Sequence, residues 1–270
     1  MSKRKQVAEL AGVSEATVSR VLNGVGPMKE STRLRVMEAA KTLNYQLNAI
    51  ASSFARGRSG NLGVVLPHVP KVSLFSTHYF SAILNGIGET VQANGYGLLL
   101  LYRDPTEPYD YVQLLRSQRI DACLILGASS SDAEAAGIEA LAAEGLPFCL
   151  VDHEPDDPRM STVCADHEKG GYAAAAHLLS LGYTRIGFLN GSPAYTGSAA
   201  RYAGYVRALT EAGIAVSEEL LYAGNYSRTS GYRLAERISG HLPSMDALFA
   251  ANDRMAMGLL QGLRELGHTV

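Results

Sequence analysis

From residue 61 to residue 270, short uninterrupted apolar runs alternate with longer stretches of helical periodicity, and this alternation constrains the fold more than any other feature of the chain. The runs LGVVLP, GLLLLY, IDACLILGA and LPFCLVD have strand length and no polar face, which predicts parallel strands covered on both sides. Between them HYFSAILNGIGETVQANG, YDYVQLLRSQR and SDAEAAGIEALAAEG read as helices, several stopping at a glycine. A second set after residue 160 has STVCAD, TRIGFLNG, ELLYAG and MDALFAAND as strands, with KGGYAAAAHLLSLG, SAARYAGYVRALTEAG, TSGYRLAERISG and RMAMGLLQGLRELG as helices. Two doubly wound parallel-sheet lobes are expected, one over about residues 61–153 and one over about 160–270.

The first sixty residues obey a different pattern. In QVAELAGVSEATVSRVLN, Val7, Leu10 and Ala11 share one helical face, and Val18, Val21 and Leu22 repeat that spacing after a break. Gly12 allows a tight turn, Val13 plugs its corner and Ser14 is a good cap for the second helix, so a helix-turn-helix with a three-residue loop is predicted. Glu15, Ala16, Thr17, Ser19 and Arg20 then point outward from the second helix, small or polar groups able to approach base edges. Arg20 suits a guanine, and Thr17 and Ser19 suit phosphate; Ser14 and Asn23, at the two ends of the helix, complete the DNA-facing set. STRLRVMEAAKTLNY gives a third helix, with Ser31 as its expected cap and Val36, Ala40 and Leu43 facing inward. The expected headpiece is residues 1–46, all helical. Lys3 and Gln6 at its start predict a loose first turn, because cations are unfavourable near a helix N-terminus. LNAIASSFARGRSG has linker composition over residues 47–60, with Asn48 capping a short hinge helix to about Ala55.

Charge follows the same division. Residues 1–58 hold ten Lys and Arg against four Asp and Glu, a balance of +6, whereas residues 59–270 carry −8. The positive segment can follow a phosphate backbone that the acidic remainder would repel.

In type, order and spacing, VAELAGVSEATVSRVLNG, ESTRLRVMEAAKTLNY and the Asn-led segment after them resemble the headpiece and hinge of the lactose-repressor (LacI/GalR) family of bacterial regulators. The resemblance implies hinge helices from two subunits that enter the minor groove, with Phe54 at the wedge position, and an aromatic wedge is able to unstack a base step. Leu47 stands where the family has a proline. Residues 61–270 resemble the periplasmic-binding-protein-like effector domain of the same family. In that family a further strand and a return crossover follow, so the second lobe is expected to be incomplete at Val270.

Ligands of open α/β sheets bind beyond the carboxyl ends of the strands, which points to Asp152 after CLV and to Asn252 and Asp253 after LFAA. By resemblance, Arg201, Asn252 and Tyr226 match effector-contacting positions, and Phe80, with His68 and Phe75, lies after the first strand where the same cleft would be lined. Arg, Asn and Asp bond vicinal hydroxyls while an aromatic face covers a sugar ring, so a small sugar is the expected effector. The reading is a homodimeric, cytoplasmic transcriptional repressor on a pseudo-palindromic double-stranded DNA operator, with no cofactor and no metal.

Composition excludes other classes. At 47% hydrophobic the chain has ample core, and no apolar run approaches a membrane span or a secretory signal. Cys123, Cys149 and Cys164 are scattered and read as free thiols, and neither the histidines nor any Ser, His and Asp pattern suggests catalysis. The alternatives are a solute-binding module whose DNA-binding segment has lost function through truncation, and an α/β enzyme fused to a DNA-binding segment.

Overall fold

A computed structural model describes residues 3–45, 57–68, 78–104 and 107–270. The chain divides into two compact units, one of Met1–Gly63, His78–Leu99 and Gln113–Ala122, the other of Val64–Thr77, Leu100–Val112 and Cys123–Val270.

Three helices open the first unit: α1 (Lys3–Ala11), α2 (Glu15–Asn23) and α3 (Glu30–Thr42). The expected three-residue turn, Gly12 to Ser14, separates α1 from α2, and Gly12 takes φ 64°. Ser14 Oγ accepts from the Thr17 N–H at 3.2 Å, and Gly24 closes α2 in the left-handed region. The core is a cluster of Val and Ala only: Val7, Ala8, Ala11, Val18, Val21, Val36, Ala39 and Ala40, with Val13, Leu22 and Leu43 packed at its edge.

Two expectations are corrected here. Leu10 is 57% exposed, because α1 meets its partners through Val7, Ala8 and Ala11, a face turned one position from the one expected. Ser31 does not cap α3; the helix starts at Glu30, Lys29 holds the cap position without a side-chain bond, and the Lys29 carbonyl accepts from Thr32 and Arg33. α1 is helical from Lys3 onward, and Arg4 in its first turn is paired with Glu15 of α2.

Beyond the headpiece the elements alternate: β1 (Asn61–Pro67), α4 (His78–Ala93), β2 (Gly97–Arg103), α5 (Tyr111–Arg116), β3 (Ala122–Leu126), α6 (Asp132–Ala143), β4 (Phe148–Val151), β5 (Thr162–Val163), α7 (His167–Ser180), β6 (Ile186–Asn190), α8 (Thr196–Glu211), β7 (Leu221–Ala223), α9 (Arg228–His241), β8 (Ala247–Ala250) and α10 (Asp253–Glu265). Strand order is β2-β1-β3-β4-β5 in one sheet and β7-β6-β8 in the other, both with the central reversal of doubly wound folds. β3, β4 and β5 pair in parallel, as do β6, β7 and β8. STVCAD, expected to open the second set, instead supplies β5 at the edge of the five-stranded sheet, with Thr162 against Leu150 and Val163 against Val151. Two residues suffice to pair with a neighbouring strand end, and no length rule assigns so short a strand to one lobe.

The three-stranded sheet is covered on both faces. Ile186 and Phe188 of β6 join Ala175, Tyr205, Ala208 and Leu209 of α7 and α8, while Leu189 joins Tyr222 and the residues Ala235, Ile238, Met255, Leu259 and Leu263 of α9 and α10. Each helix pair crosses on glycines. A Cβ on Gly171 would meet the Arg201 carbonyl at 2.2 Å and one on Gly204 the Glu168 carbonyl at 2.0 Å, and Gly231 and Gly258 repeat the arrangement against Met255 and Arg228.

Each sheet is also fastened by one aspartate that ties the starts of two of its strands together. Asp121, just before β3, accepts from Ser59 N and Oγ at 2.6 and 2.8 Å and from Gly60 N at 2.9 Å, ahead of β1. Asp246, just before β8, accepts from Thr184 N and Arg185 N at 3.2 and 3.0 Å, ahead of β6, and from the Arg185 guanidinium at 2.6 Å.

Candidate functional site

Five residues of α2, Glu15, Ala16, Thr17, Ser19 and Arg20, are those expected to face outward from the headpiece. Ala16 and Arg20 are exposed, and Glu15, Thr17 and Ser19 are half-buried. Ser14 is occupied by its capping bond and by a 3.0 Å bond to Thr17 Oγ1. The Asn23 amide donates back to the Ser19 carbonyl at 2.8 Å and to Ser19 Oγ at 3.3 Å, so Asn23 braces Ser19. Glu15 Oε2 accepts from Arg4 Nε at 2.8 Å, a contact that sequence reasoning missed because it joins two helices 11 residues apart. Asn48, Phe54 and Phe75 lie outside the described residues.

A second constellation forms in the other unit, around the carboxyl end of β6, the strand at which the order of its sheet reverses. Gly191 follows β6, and a Cβ there would lie 1.9 Å from Cζ of Tyr226, so only glycine lets the ring rest on this backbone. Tyr226 itself takes φ 65°, a genuine outlier for a bulky residue. Three partners hold it there. Its hydroxyl is 2.5 Å from Ser198 Oγ and accepts from Arg201 Nη1 at 2.9 Å, and its carbonyl accepts from Asn252 Nδ2 at 3.0 Å. The Arg201 guanidinium also lies 5.7 Å from the centre of the Tyr226 ring. Asn252 spends its Oδ1 capping α10 through Met255 N at 3.0 Å. Strained backbone tends to be kept where a ligand needs it.

Asp152, after β4, is the other positive-φ residue here, at 60°, and its Oδ1 lies 2.5 Å from His167 Nε2 at the start of α7. Asp152, His167, Glu154, Cys164, Thr196 and Gly197 line a cavity of about 270 Å³. The structure thus joins Arg201, Tyr226 and Asn252 by direct bonds and places Asp152 on the cavity beside Gly197, which carries the carbonyl that also accepts from Arg201 Nη1 at 3.4 Å. It does not bring in Asp253, which is exposed in the first turn of α10. Phe80 belongs to the first unit, where it is half-buried and edge-on to Tyr79 at 5.0 Å. His68 is exposed.

The same unit holds a buried ion pair that sequence reasoning missed. Arg103 Nε donates to both oxygens of Glu134 at 2.9 Å, Nη2 donates to the Gly127 carbonyl at 3.0 Å, and the Tyr111 hydroxyl donates to Glu134. Arg103, Glu134 and Tyr111 are at most 3% exposed. Burial raises the Tyr111 hydroxyl well above the usual range and lowers His153, whose Nδ1 lies 3.2 Å from the Ala128 carbonyl. Burial also pushes the Cys123 thiol up to about 12, which leaves it protonated and unreactive at neutral pH. Among the described residues no cluster of His, Cys, Asp and Glu could hold a metal ion, and no helix is long and apolar enough to cross a membrane.

Comparison with known proteins bears on both sites. Residues 5–48 match the family described as bacterial regulatory proteins, lacI family, and residues 59–270 match the periplasmic binding proteins and sugar binding domain of the LacI family. The HTH-type transcriptional repressor PurR of Mannheimia succiniciproducens is 29% identical over 272 residues, covering 100% of this chain and 79% of that protein. Among solved structures, the Lac repressor dimer bound to operator and the anti-inducer ONPF superposes with a TM-score of 0.78 at 28% identity, over 98% of this chain and 78% of the other. A complex of the transcriptional regulator CelR with cellobiose gives 0.68 at 27% identity, over 100% and 80%.

Proposed function

We infer the role of this chain from the family to which it belongs: it is a member of the lacI family of bacterial regulatory proteins, and it acts as a DNA-binding transcriptional repressor whose hold on its operator is set by a small sugar-like effector. The observation that carries the reading is the α2 face, a capped helix that presents Ala16 and Arg20 to solvent from a positively charged headpiece. As proposed, residues 1–46 read the major groove with Ser14, Glu15, Ala16, Thr17, Ser19, Arg20 and Asn23, and residues 47–60 carry Asn48 and Phe54 to the minor groove. Residues 61–270 take up the effector and support a homodimer, one headpiece per half-site of a pseudo-palindrome.

The sugar-like class is supported by the cellobiose bound to one related regulator and by the chemistry of the second constellation. Asp152 supplies an acceptor, Arg201 and Asn252 supply donors and Tyr226 a ring face, a set that suits vicinal hydroxyls on a flat sugar. Asp253 and Phe80 stand as outer candidates. Effector binding couples to operator affinity by about 1–3 kcal/mol. No catalytic role is assigned, and the cytoplasm is where such a regulator meets its DNA.

The test is selection of bound sites from a random DNA pool with the purified chain at two salt concentrations. An enriched palindrome whose affinity falls steeply with salt is expected. Binding without an enriched sequence would overturn the reading in favour of a solute-binding module.

A further inference from the structure

We propose that Arg4 and Glu15 form one base-reading unit, in which the Glu15 carboxylate accepts from the amino group of a cytosine in the major groove while Arg4 holds and neutralises it. The proposal rests on the DNA-binding reading of the headpiece and names one base that this headpiece selects.

Glu15 is the first residue of α2, and the N-terminal residues of a recognition helix are those that reach base edges. At that end of the helix the other polar side chains are committed. Ser14 caps the helix, and its hydroxyl and that of Thr17 are bonded to each other at 3.0 Å, while Ala16 is apolar and short. A bare carboxylate there would face a phosphate backbone carrying one charge per ~1.7 Å of duplex. The Arg4 guanidinium at 2.8 Å removes that objection, and it engages Oε2, one of the two carboxylate oxygens. The Glu15 carboxylate in turn raises the Arg4 guanidinium above its ordinary range through their hydrogen bond and charge.

An ionised carboxylate only accepts hydrogen bonds, so it must meet a donor edge. Two base groups donate in the major groove, N4 of cytosine and N6 of adenine. Beside adenine N6 stands N7, an acceptor that repels a carboxylate, whereas cytosine offers only a ring C–H next to N4. Thymine and guanine present acceptors and are rejected. Arg4 is a positioning residue here: it orients the reading group from α1.

The experiment uses the full 270-residue chain as wild type, Glu15→Ala, Glu15→Gln and Arg4→Ala, with sites selected from a random pool and then resynthesised with each base at each position. For the wild type, one cytosine per half-site is expected, with replacement by thymine weakening binding roughly 10-fold or more, the scale of a good base contact. Glu15→Ala should bring that ratio near one at that position only. Glu15→Gln should move the preference to adenine, which a side-chain amide bonds through N6 and N7. Arg4→Ala should lower the cytosine-to-thymine ratio several-fold; mere loss of a phosphate contact would weaken all sequences alike and leave the ratio intact. Preferences retained at the other positions show that the variants are folded. A Glu15→Ala protein that keeps the cytosine preference overturns the proposal while the palindrome still supports the DNA-binding reading. An unchanged ratio in Arg4→Ala overturns the pair as a unit. A wild type that enriches nothing overturns both.

Discussion

The headpiece and the region around β6 solve opposite problems. The headpiece core contains eight buried residues, all Val or Ala, and its functional side chains stand clear of that core. Around β6 the core is aromatic, with Phe188 stacked on Tyr205 at 5.0 Å and on Phe249 at 4.8 Å, and the candidate effector residues are bonded to one another and to the strand ends. A surface that reads a rigid duplex needs groups left open, whereas a pocket for a small polar ligand needs its groups held in place beforehand. In the first region an exposed residue such as Arg20 separates function from stability, whereas in the second the candidate residues also hold one another in place.

The sharpest test of that contrast is Glu134→Ala, which leaves Arg103 charged and unpaired in the interior and should cost about 3–5 kcal/mol in denaturant unfolding. A loss below about 1 kcal/mol would show the pair to be solvated and the contrast overstated. Gly191→Ala places a methyl group in the Tyr226 ring and should cost about 1–3 kcal/mol as overpacking, together with the thermal shift produced by any sugar that stabilises the wild type. Unchanged stability and unchanged sugar response would separate Tyr226 from the β6 end. Arg20→Ala should leave unfolding unaltered and weaken binding to a selected operator by about 1–3 kcal/mol, with one base position relaxed; an unchanged base preference removes Arg20 from its role. Ser14→Ala should cost the headpiece about 1 kcal/mol through the lost cap, read as a lower melting temperature of its helical signal.

The smallest effect is one of pH. Burial holds His153 below its ordinary value of 6.5, so as pH falls the unfolded chain takes up a proton before the folded one does. The stability linked to His153 is present above about pH 6.5 and is lost as pH drops through the folded value. Residues 3–45 contain no histidine, so this loss should spare the headpiece, and His153→Asn should flatten it in the rest of the chain. An equal slope in His153→Asn would assign the loss to other groups.

The headpiece was almost fully legible in its sequence because its determinants are local. A capping oxygen three residues before the N–H that donates to it and a glycine in the turn are fixed by neighbours, and the structure keeps them at Ser14 and Gly12. Where reading went astray, at Leu10 and Ser31, a helix had rotated or started early to suit packing that spacing alone does not encode. The α/β alternation was legible for the same reason as the headpiece, since each strand is a continuous apolar run. What stayed hidden is non-local: Arg103 reads as a strand end and Glu134 as an ordinary first-turn acid, and only the sheet brings these residues, 31 positions apart, together. Of the candidate effector set, strand ends pointed to Asp152, Asn252 and Asp253 and the family resemblance to Arg201 and Tyr226; the bonds that join Arg201, Tyr226 and Asn252, and the roles of Ser198 and Gly191, required the fold.

The aspartates that fasten the two sheets have a kinetic consequence. Asp121 reaches back 62 residues to Ser59, and Asp246 reaches back 62 residues to Thr184. Loop-closure entropy depends on the length of chain enclosed, so the two closures oppose folding to the same degree. These two fastenings therefore give neither sheet a head start over the other.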